Sequence, residues 1–554
     1  MVVVTDQDYR FPDAPDPDAM EWPGTPLGIS NVITRTKSRT ELHDKVVDAT
    51  AGLLDELRGS AETAIALSRP HVTEHDAVIH GLRVRAHTNS PHLADFWQAN
   101  WYSVAEWERL TGTTVPSEVA IDVFAVGNVP GQREAAYFSR STSTVIFFNT
   151  AYYGQLKSWV LGAAGRILAD RFGIHSVHGA CVEFRNRGVL YVAPTGTGKS
   201  TSSYGLMGLP GTRFHSDDWV YIRYVHTTRD GLKLAPIEIT TGSGEVIRGY
   251  RCVRWLEYNH PEGCRIQGLD LSGCRVEVGG EDLDTSVPLE AYAYISEKVF
   301  YLRSNLVENF PRSAVALFQS KLENVPDISD HFLREHKEEI HDLVAELNAD
   351  PGLGRRAAEL VTSDDLAEQM ARLFAFDNSR AMLDPKDIFS TQAAYLNPME
   401  PLQLGTVILL KRNFGDQTVL DRLDQDHFLG RLIIGTTPDA KREVAYNAYR
   451  AVDDDAEREF ISRVEAEAAT EHMPLYRAFQ SGSNRPASLD EEFDLFRAMH
   501  RSAKCYELNT ILQRDPQVSN RKQAVKQTID LITRTLEVQP NRRLSLQDYR
   551  EFLR

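Results

Sequence analysis

The chain has 554 residues, of which 42% are hydrophobic, so it is long enough for two or three domains with buried cores. Its 61 basic and 78 acidic side chains leave a formal net charge of −17, which disfavours a nucleic-acid partner. The five cysteines are irregularly spaced without a CxxC pair, so they support neither a disulfide framework nor a zinc site. No signal-type segment opens the sequence and no run approaches the about 20 apolar residues of a membrane-spanning helix, so we expect a cytoplasmic protein without a membrane partner.

The N-terminal part of the chain predicts a flexible arm followed by an α/β domain. Residues 1–28 are rich in Pro and Asp and have no periodic apolar face to bury, which is typical of a loose arm. Within residues 29–148, apolar residues recur at helical spacing over Glu41–Leu67. Strand-like runs follow at Val119–Val126 and Thr144–Phe148, so this domain combines helices with strands.

Four further segments differ in pattern. Gln155–Phe172 has the spacing of an amphipathic helix, and residues 220–300 contain short Val, Ile and Tyr runs between Gly and Asp clusters, which predict antiparallel strands. Residues from about 328 to 373 are charged and helical in pattern, which indicates a helical insertion. Thr406–Leu410 is an apolar run that suits a buried strand. Residues 453–554 predict a helical C-terminal region.

The clearest functional signal is a strand followed by a Gly-rich turn. Residues 188–201 read GVLYVAPTGTGKST, which is close to the phosphate-loop pattern GxxxxGKS, although Ala193 replaces the first glycine. An ordinary Gly-rich turn is the alternative. In a phosphate loop the backbone amides surround the phosphates, Lys199 neutralises them, and Ser200 offers its hydroxyl to Mg²⁺. The residues predicted to contact the nucleotide are Thr195, Gly196, Thr197, Gly198, Lys199, Ser200 and Thr201.

Titratable side chains flank this loop on both sides in the sequence. Asp217 and Asp218 open a second predicted strand, so one carboxylate could hold a metal while the other accepts a proton from an attacking hydroxyl. Adjacent aspartates are otherwise common in turns and caps. Upstream, His178 ends a strand that we expect to pair with residues 188–192, and its imidazole could face the same site. A histidine buried in the core is the alternative there.

In this order, His178-Gly179, the phosphate loop and the Asp217-Asp218 pair resemble the core of HPr kinase/phosphorylase and of phosphoenolpyruvate carboxykinase. In both families a histidine-bearing strand precedes the loop and an aspartate pair follows it. Five further segments resemble carboxykinase motifs in colinear order: NTAYYGQLK at 149–157, YLR at 301–303, LENV at 322–325, DNSRAMLDP at 377–385 and LGTVILLKRN at 404–413. The resemblance implies that residues 149–452 form a nucleotide-binding catalytic domain of this type, an α/β fold with mixed sheets around a P-loop core.

The resemblance also implies roles for the matching residues. Lys199 and Lys157, which stands at the first lysine of the carboxykinase sequence YGGEMKK, would contact phosphates. Ser200 would hold Mg²⁺. His178 and Asp218 would form a second metal site, for Mg²⁺ or Mn²⁺. The implied cofactors are therefore ATP and a divalent cation.

Further acidic and basic residues complete the implied site. Glu323 takes the acidic position that lies near the metals in carboxykinases. Asp217 or Asp218 would act as the base, as in the kinase branch of the fold. Arg380 would stabilise charge that develops on the γ-phosphate. Arg303 replaces the nucleotide-contacting lysine of the carboxykinase YAK motif.

Two departures from the carboxykinase pattern decide between reactions. Ser158 stands where the second lysine, a metal ligand, would be. The arginine-bearing segment that resembles GRSPKDK and holds phosphoenolpyruvate has no counterpart here. We therefore predict a kinase that transfers the γ-phosphate of ATP to a hydroxyl of a protein serine or a small molecule. A carboxykinase-type enzyme and a non-enzymatic nucleotide sensor are the alternatives, and the helical C-terminal region could be a docking or homo-oligomer surface.

Overall fold

The computed structural model describes most of the chain in thirteen ranges: 47–68, 73–127, 129–133, 135–149, 153–193, 197–227, 233–240, 246–252, 289–303, 397–434, 455–473, 487–519 and 521–554. Some short strands and single positions are described outside these ranges. The predicted arm at 1–28 lies outside the described residues, and so does the predicted insertion at 328–373 apart from a few helical positions. Among the helices of the described part, none has the length and apolar character to cross a bilayer.

The first third of the chain alternates strands with helices. In chain order the elements are β1 (Ile29–Ser30), β2 (Glu41–His43), α1 (Leu53–Leu67), β3 (Thr73–Ile79), β4 (Leu82–Thr88), α2 (Pro91–Asn100), α3 (Val104–Thr111), β5 (Ile121–Val126), β6 (Ala135–Ser139), β7 (Thr144–Phe148) and α4 (Tyr153–Phe172). Strands β2 to β7 form a mixed sheet in the order β2-β6-β7-β5-β4-β3. The predicted strands at 119–126 and 144–148 and the helix predicted at 155–172 are confirmed as β5, β7 and α4.

The middle of the chain supplies most strands of a second sheet and several short strands that lie outside that sheet. Its elements are β8 (His175–Val177), β9 (Gly179–Phe184), β10 (Arg187–Val192), α5 (Lys199–Leu206), β11 (Thr212–Ser216), β12 (Val220–Thr227), β13 (Lys233–Thr240), β14 (Val246–Cys252), β15 (Tyr258–Asn259), β16 (Gly263–Cys264), β17 (Arg275–Val276), β18 (Glu290–Tyr294), β19 (Phe300–Arg303) and β20 (Arg380–Leu383). Strands β12, β13, β14 and β18 pair antiparallel, so the antiparallel structure predicted within 220–300 is confirmed.

The last part of the chain completes that second sheet and covers it. Its elements are β21 (Leu402–Lys411), β22 (Thr418–Arg422), α6 (Gln425–Ile434), α7 (Asp455–Glu471), α8 (Ala487–Ser502), β23 (Lys504–Asn509), a 3₁₀ turn (Leu512–Arg514), α9 (Arg521–Val538), β24 (Leu544–Ser545) and α10 (Tyr549–Leu553). The main path of the sheet runs β11-β9-β10-β21-β18-β12-β13-β14-β17, and β23 lies beside β21. The predicted buried strand at 406–410 is confirmed as the centre of β21.

Strands β10, β21 and β23 are parallel neighbours at the centre of this main sheet. Side chains alternate along β21, with Ile408 and Leu410 in one apolar cluster and Val407 and Leu409 in another. Helices α5, α9 and α10 pack in the first cluster, and helices α6, α7 and α8 pack in the second. Because helices cover both faces, strands of this kind read as continuous apolar runs. The mixed α/β class predicted from the sequence is confirmed.

The helical prediction for residues 453–554 is wrong at Lys504–Asn509. These residues form β23, which pairs in parallel with β21 over Thr406 to Lys411. A six-residue buried strand has no periodicity that separates it from a helical turn, so the neighbouring helices dominate the pattern. The C-terminal segment is also joined to α5, because Gly205 lies so close to Ile529 of α9 that an added Cβ would meet its side chain at 2.6 Å.

Helix α4 lies between the two sheets and belongs to a core that both share. One apolar cluster contains Trp97 of α2, Phe147 of β7 and Val160 of α4 together with Trp219 and Tyr294 of the main sheet region. The predicted boundary at residues 148 and 149 therefore falls just before a helix that is buried against both units. This packing places the side chains of α4 next to the loops of the main sheet.

Candidate functional site

The predicted phosphate loop connects β10 to α5 at the carboxyl end of the parallel strands. Gly198 has φ +106°, a backbone conformation that favours glycine, and it immediately precedes the first residue of α5. Lys199 is therefore at the helix start, where backbone amides point away from the helix. Ser200 is half-buried, Thr201 is exposed, and Thr197 is buried. Thr195 and Gly196 lie outside the described residues.

Lys199 is buried and turns its ammonium back toward the sheet. Nζ is 3.0 Å from the carbonyl oxygen of Ala193 and 2.9 Å from Nε2 of His178. Both acceptors are uncharged at neutral pH, since burial and the nearby Lys199 charge lower the pKa of His178 to about 4. The ammonium is thus held by neutral groups at the place where the loop would cradle an anion.

His178 stands between two strands that diverge. β8 pairs with β12 and β9 pairs with β10, so His178 lies where the chain crosses from one pairing to the other. The predicted pairing with 188–192 is confirmed only for β9, which begins after His178 and has Gly179 opposite Val192. The strand that ends just before His178, β8, pairs with β12 instead. The alternative of a buried core histidine describes its exposure correctly, because only 1% of His178 is accessible. Its imidazole nevertheless lies among charged groups.

The two aspartates follow β11 and differ in exposure. Asp217 is fully buried, whereas 26% of the Asp218 side chain is exposed. Asp218 has φ +71°, a left-handed conformation that is uncommon for residues other than glycine and is found disproportionately at functional sites. Its Oδ1 is 3.3 Å from Nε2 of His178, and its Oδ2 is 3.8 Å from Nζ of Lys157. Burial raises the pKa of Asp218, but Lys157, His178 and Lys199 outweigh burial and hold it far below its usual range.

Lys157 projects from α4 into the same site and is fully buried. Nζ is 2.5 Å from Oε2 of Glu297, which is also fully buried. Burial lowers the pKa of Lys157, but the charges of Glu297, Asp218 and Asp217 outweigh it, so the pKa is raised. The pKa of Glu297 is also raised, and burial is the largest cause. The 2.5 Å contact between Nζ of Lys157 and Oε2 of Glu297 identifies the two as an ion pair.

Sequence reasoning missed Glu297. Glu297 follows β18 and belongs to no motif. Its one signal in the sequence is its position two residues before the strand-like run that includes the YLR segment. Thr510 was missed too. Its Oγ1 donates toward the carbonyl oxygen of Thr197 at 3.4 Å and that of Lys411 at 3.1 Å. Nothing in the pattern of the C-terminal segment connects Thr510 to the phosphate loop.

The two predicted arginines lie on paired strands. Arg303 of β19 and Arg380 of β20 are direct partners in an antiparallel register. Strand β19 starts at Phe300, whose ring packs against Tyr204 of α5 and Phe214 of β11 at centroid distances of 5.3 and 4.3 Å. The backbone of both arginines is therefore in a small sheet next to the phosphate-loop helix. Glu323 lies outside the described residues.

A divalent cation is implied by the resemblance, and the donor set can be tested against it. Oδ1 of Asp218 and Nε2 of His178 are 3.3 Å apart, close to the roughly 3 Å between adjacent ligands of one small divalent ion. An ionised carboxylate and a neutral imidazole are both suitable ligands, and Ser200 could add a hydroxyl. Within the part of the chain that the structure describes, no three His, Cys, Asp or Glu residues cluster as a metal site. The residues fit an ion that also takes ligands from a phosphate.

No family model matches this sequence, and no curated protein matches it significantly.

Proposed function

We propose that the protein is an ATP-dependent phosphotransferase, with a P-loop core similar to HPr kinase and phosphoenolpyruvate carboxykinase, that moves the γ-phosphate to an acceptor hydroxyl. The observation that supports this most is the meeting of four side chains from different elements. Lys199, His178, Asp218 and Lys157 form a continuous set in which neighbouring charged or polar atoms are 2.9 to 3.8 Å apart. Phosphoryl transfer needs this combination of a cation, an ionised carboxylate and a place for a metal.

Lys199 is the group best placed to meet the phosphates. Its ammonium now donates to a carbonyl and an imidazole, so a phosphate oxygen would exchange neutral acceptors for a charged one. The start of α5 adds backbone amides and the positive end of the helix dipole. Together these groups favour a polyanion such as a nucleoside triphosphate.

Asp218 is the carboxylate that would face the acceptor. It is the more exposed of the two aspartates, and its low pKa keeps it ionised over the physiological range. An ionised carboxylate can orient an acceptor hydroxyl and take its proton as the phosphate transfers. Asp217 is fully buried behind it, which suits a supporting role.

His178, Asp218 and Ser200 would hold the divalent cation, which supplies charge neutralisation between the phosphates when bound. The protein's own contribution is positioning. His178 is neutral and therefore has a lone pair to offer, while Lys157 fixes the carboxylate of Asp218 from the other side. The arginines of β19 and β20 would add positive charge from the small sheet next to α5.

Decarboxylation of oxaloacetate is disfavoured by Ser158. Its hydroxyl donates to the carbonyl oxygen of Gly154 at 2.8 Å within α4, and only 4% of the residue is exposed. A short buried hydroxyl turned back on its own helix cannot replace the metal-binding lysine that carboxykinases have at this position. A kinase with a different acceptor fits the remaining groups better.

The test is transfer of label from γ-labelled ATP, with Mg²⁺ or Mn²⁺, to components of an extract of the source cells. We expect label on one polypeptide or metabolite, and none with K199A, since Lys199 is the proposed phosphate-binding cation. Binding of ATP without any transfer would favour the sensor alternative. Oxaloacetate-dependent consumption of ATP would favour the carboxykinase.

A further inference from the structure

Glu297 stands at the end of a chain of alternating charges that reaches the phosphate-loop lysine. Its Oε2 is 2.5 Å from Nζ of Lys157, and Nζ is 3.8 Å from Oδ2 of Asp218. Oδ1 of Asp218 is 3.3 Å from Nε2 of His178, and that nitrogen is 2.9 Å from Nζ of Lys199. Five side chains from five separate segments therefore share one line of contacts, and Glu297, like Lys157, is fully buried.

Neighbours on two sides hold Glu297 in place. Asn100, the last residue of α2, has its amide nitrogen 3.1 Å from Oε2 of Glu297 in the amide orientation that satisfies both ends of the side chain. The backbone amide of Ser296 donates to Oγ of Ser216 at 3.3 Å, and the Ser296 hydroxyl donates to the carbonyl oxygen of Trp219 at 2.5 Å. These bonds fix Glu297 against the loop that carries both aspartates.

We propose that Glu297 is a positioning residue of the phosphotransfer site, an inference that rests on the proposed function. It holds the ammonium of Lys157 at 2.5 Å and so keeps that ammonium 3.8 Å from Asp218. Without the Glu297 charge, the closest counter-charge of a buried lysine is Asp218, and Coulomb attraction in a buried site is strong. The ammonium then closes on Asp218 and competes with the metal and the acceptor for its oxygens.

This arrangement separates two tasks that one lysine would otherwise mix. The charge of Lys157 keeps Asp218 ionised across 3.8 Å, while the direct contact of the Lys157 ammonium is with Glu297. Asn100 of the N-terminal domain contacts Glu297, so both units of the protein contribute to the position of the Glu297 carboxylate. Outer groups that orient metal ligands typically affect activity by 10- to 100-fold without touching the substrate.

The main experiment compares the kinetics of E297Q with those of the wild-type protein. Glutamine keeps the size of the side chain and removes its charge, so we expect kcat for phosphate transfer to fall about 10- to 100-fold. KM for ATP should change by less than about threefold, because the phosphate loop is untouched. E297D restores the charge with a shorter reach and should recover part of the lost kcat.

Two comparisons separate positioning from general damage. E507Q is the matched control, because Lys411 and Glu507 form a second buried pair with the same 2.5 Å separation. Its kcat should stay within about twofold of wild type, as expected for a distant independent site. In a K157M background the substitution E297Q should alter kcat less than about twofold, because Glu297 then has no ammonium to hold.

Each of the following results supports or overturns the positioning role of Glu297. A folded E297Q with kcat within about threefold of wild type overturns the positioning role and leaves the proposed function standing. An equal fall in E507Q, or a loss of ATP binding in place of turnover, overturns it as well. If E297Q does not fold, E297D and the K157M pair carry the test, and an E297D no more active than K157M counts against the role. A wild-type protein that binds ATP but transfers no phosphate overturns the proposed function and this inference together.

Discussion

Two buried lysine–glutamate pairs lie at different places in the core and have the same separation. Nζ of Lys157 is 2.5 Å from Oε2 of Glu297, and Nζ of Lys411 is 2.5 Å from Oε2 of Glu507. Each pair joins elements that are distant in the sequence. Because their own geometry is alike, any difference in role has to come from the charges around them.

The charges around Lys411 and Glu507 balance. Oδ2 of Asp416 is 2.8 Å from Nζ of Lys411, and Nε of Arg431 is 2.9 Å from Oε1 of Glu507. Two cations therefore face two carboxylates, and each charged group has an opposite neighbour. This set links β21, β23, α6 and the loop that precedes β22.

Among the described residues, carboxylates outnumber lysines around Lys157 and Glu297. Asp217 and Asp218 also act on Lys157, so three of the described carboxylates lie around the two lysines Lys157 and Lys199. Excess negative charge in a buried place is costly unless a cation neutralises it. A buried ion pair by itself therefore says little about function, whereas the additional carboxylates near Lys157 are consistent with the proposed divalent cation.

The largest difference between the two clusters should appear in turnover. D218N is expected to lower kcat for phosphate transfer by about 1,000-fold, because it removes the charge that we propose faces the acceptor and the metal. D416N removes the matching carboxylate beside Lys411 and should leave kcat within about twofold. Initial rates with γ-labelled ATP measure both variants, and similar losses in the two would break the comparison.

A substitution in the Lys411–Glu507 cluster should change the free energy of unfolding. E507Q removes one charge from a buried set and should lower the free energy of unfolding by about 3 kcal/mol, with transfer activity nearly unchanged. Urea unfolding followed by tryptophan fluorescence gives the change. E551Q, at an exposed position of α10, is the control and should stay within about 0.5 kcal/mol of wild type. An E507Q protein with wild-type stability and poor turnover would reverse the roles that we assign.

A smaller effect is expected where the two clusters are joined through the backbone. Oγ1 of Thr510 lies near the carbonyl oxygens of both Lys411 and Thr197, so it connects β21 to the phosphate loop. T510V removes one neutral hydrogen bond and should raise KM for ATP by about three- to tenfold with little change in kcat. T510S keeps the hydroxyl and should behave as wild type. Equal KM values for all three proteins would show that the contact does not support the loop.

The smallest effect should be an acid dependence of stability. Burial raises the pKa of Asp416, but hydrogen bonds from Lys411 and Thr418 outweigh burial and lower it to about 2. A folded-state pKa below the ordinary value of 3.8 stabilises the protein above pH 3.8, and this stabilisation is lost as the pH falls toward 2. The thermal midpoint of D416N should therefore fall less steeply than that of wild type between pH 4 and 2. Parallel curves would contradict the assignment.

Much of the candidate site could be predicted because its parts are local. A Gly-rich turn after an apolar strand, with Lys199 at the next helix start, can be read directly from neighbouring residues, and Gly198 has the conformation that such a turn requires. The pairing of β9, the strand that follows His178, with β10 was also predictable, since the two strands are adjacent in the sequence. Glu297 was not, because its contact with Lys157 depends on how α4 packs and how β18 pairs with β12.

The sequence by itself determined the mixed α/β class, the positions of β5, β7, α4 and β21, and the Gly-rich turn with Lys199 at the start of α5. Periodicity and turn residues encode these features over short distances. The tertiary structure alone decided that β23 enters the main sheet beside β21, that Asp218 and not Asp217 reaches solvent, and that Lys157 has Glu297 as its partner. Burial and charge balance are sums over neighbours from distant segments, and no local pattern in the sequence records them.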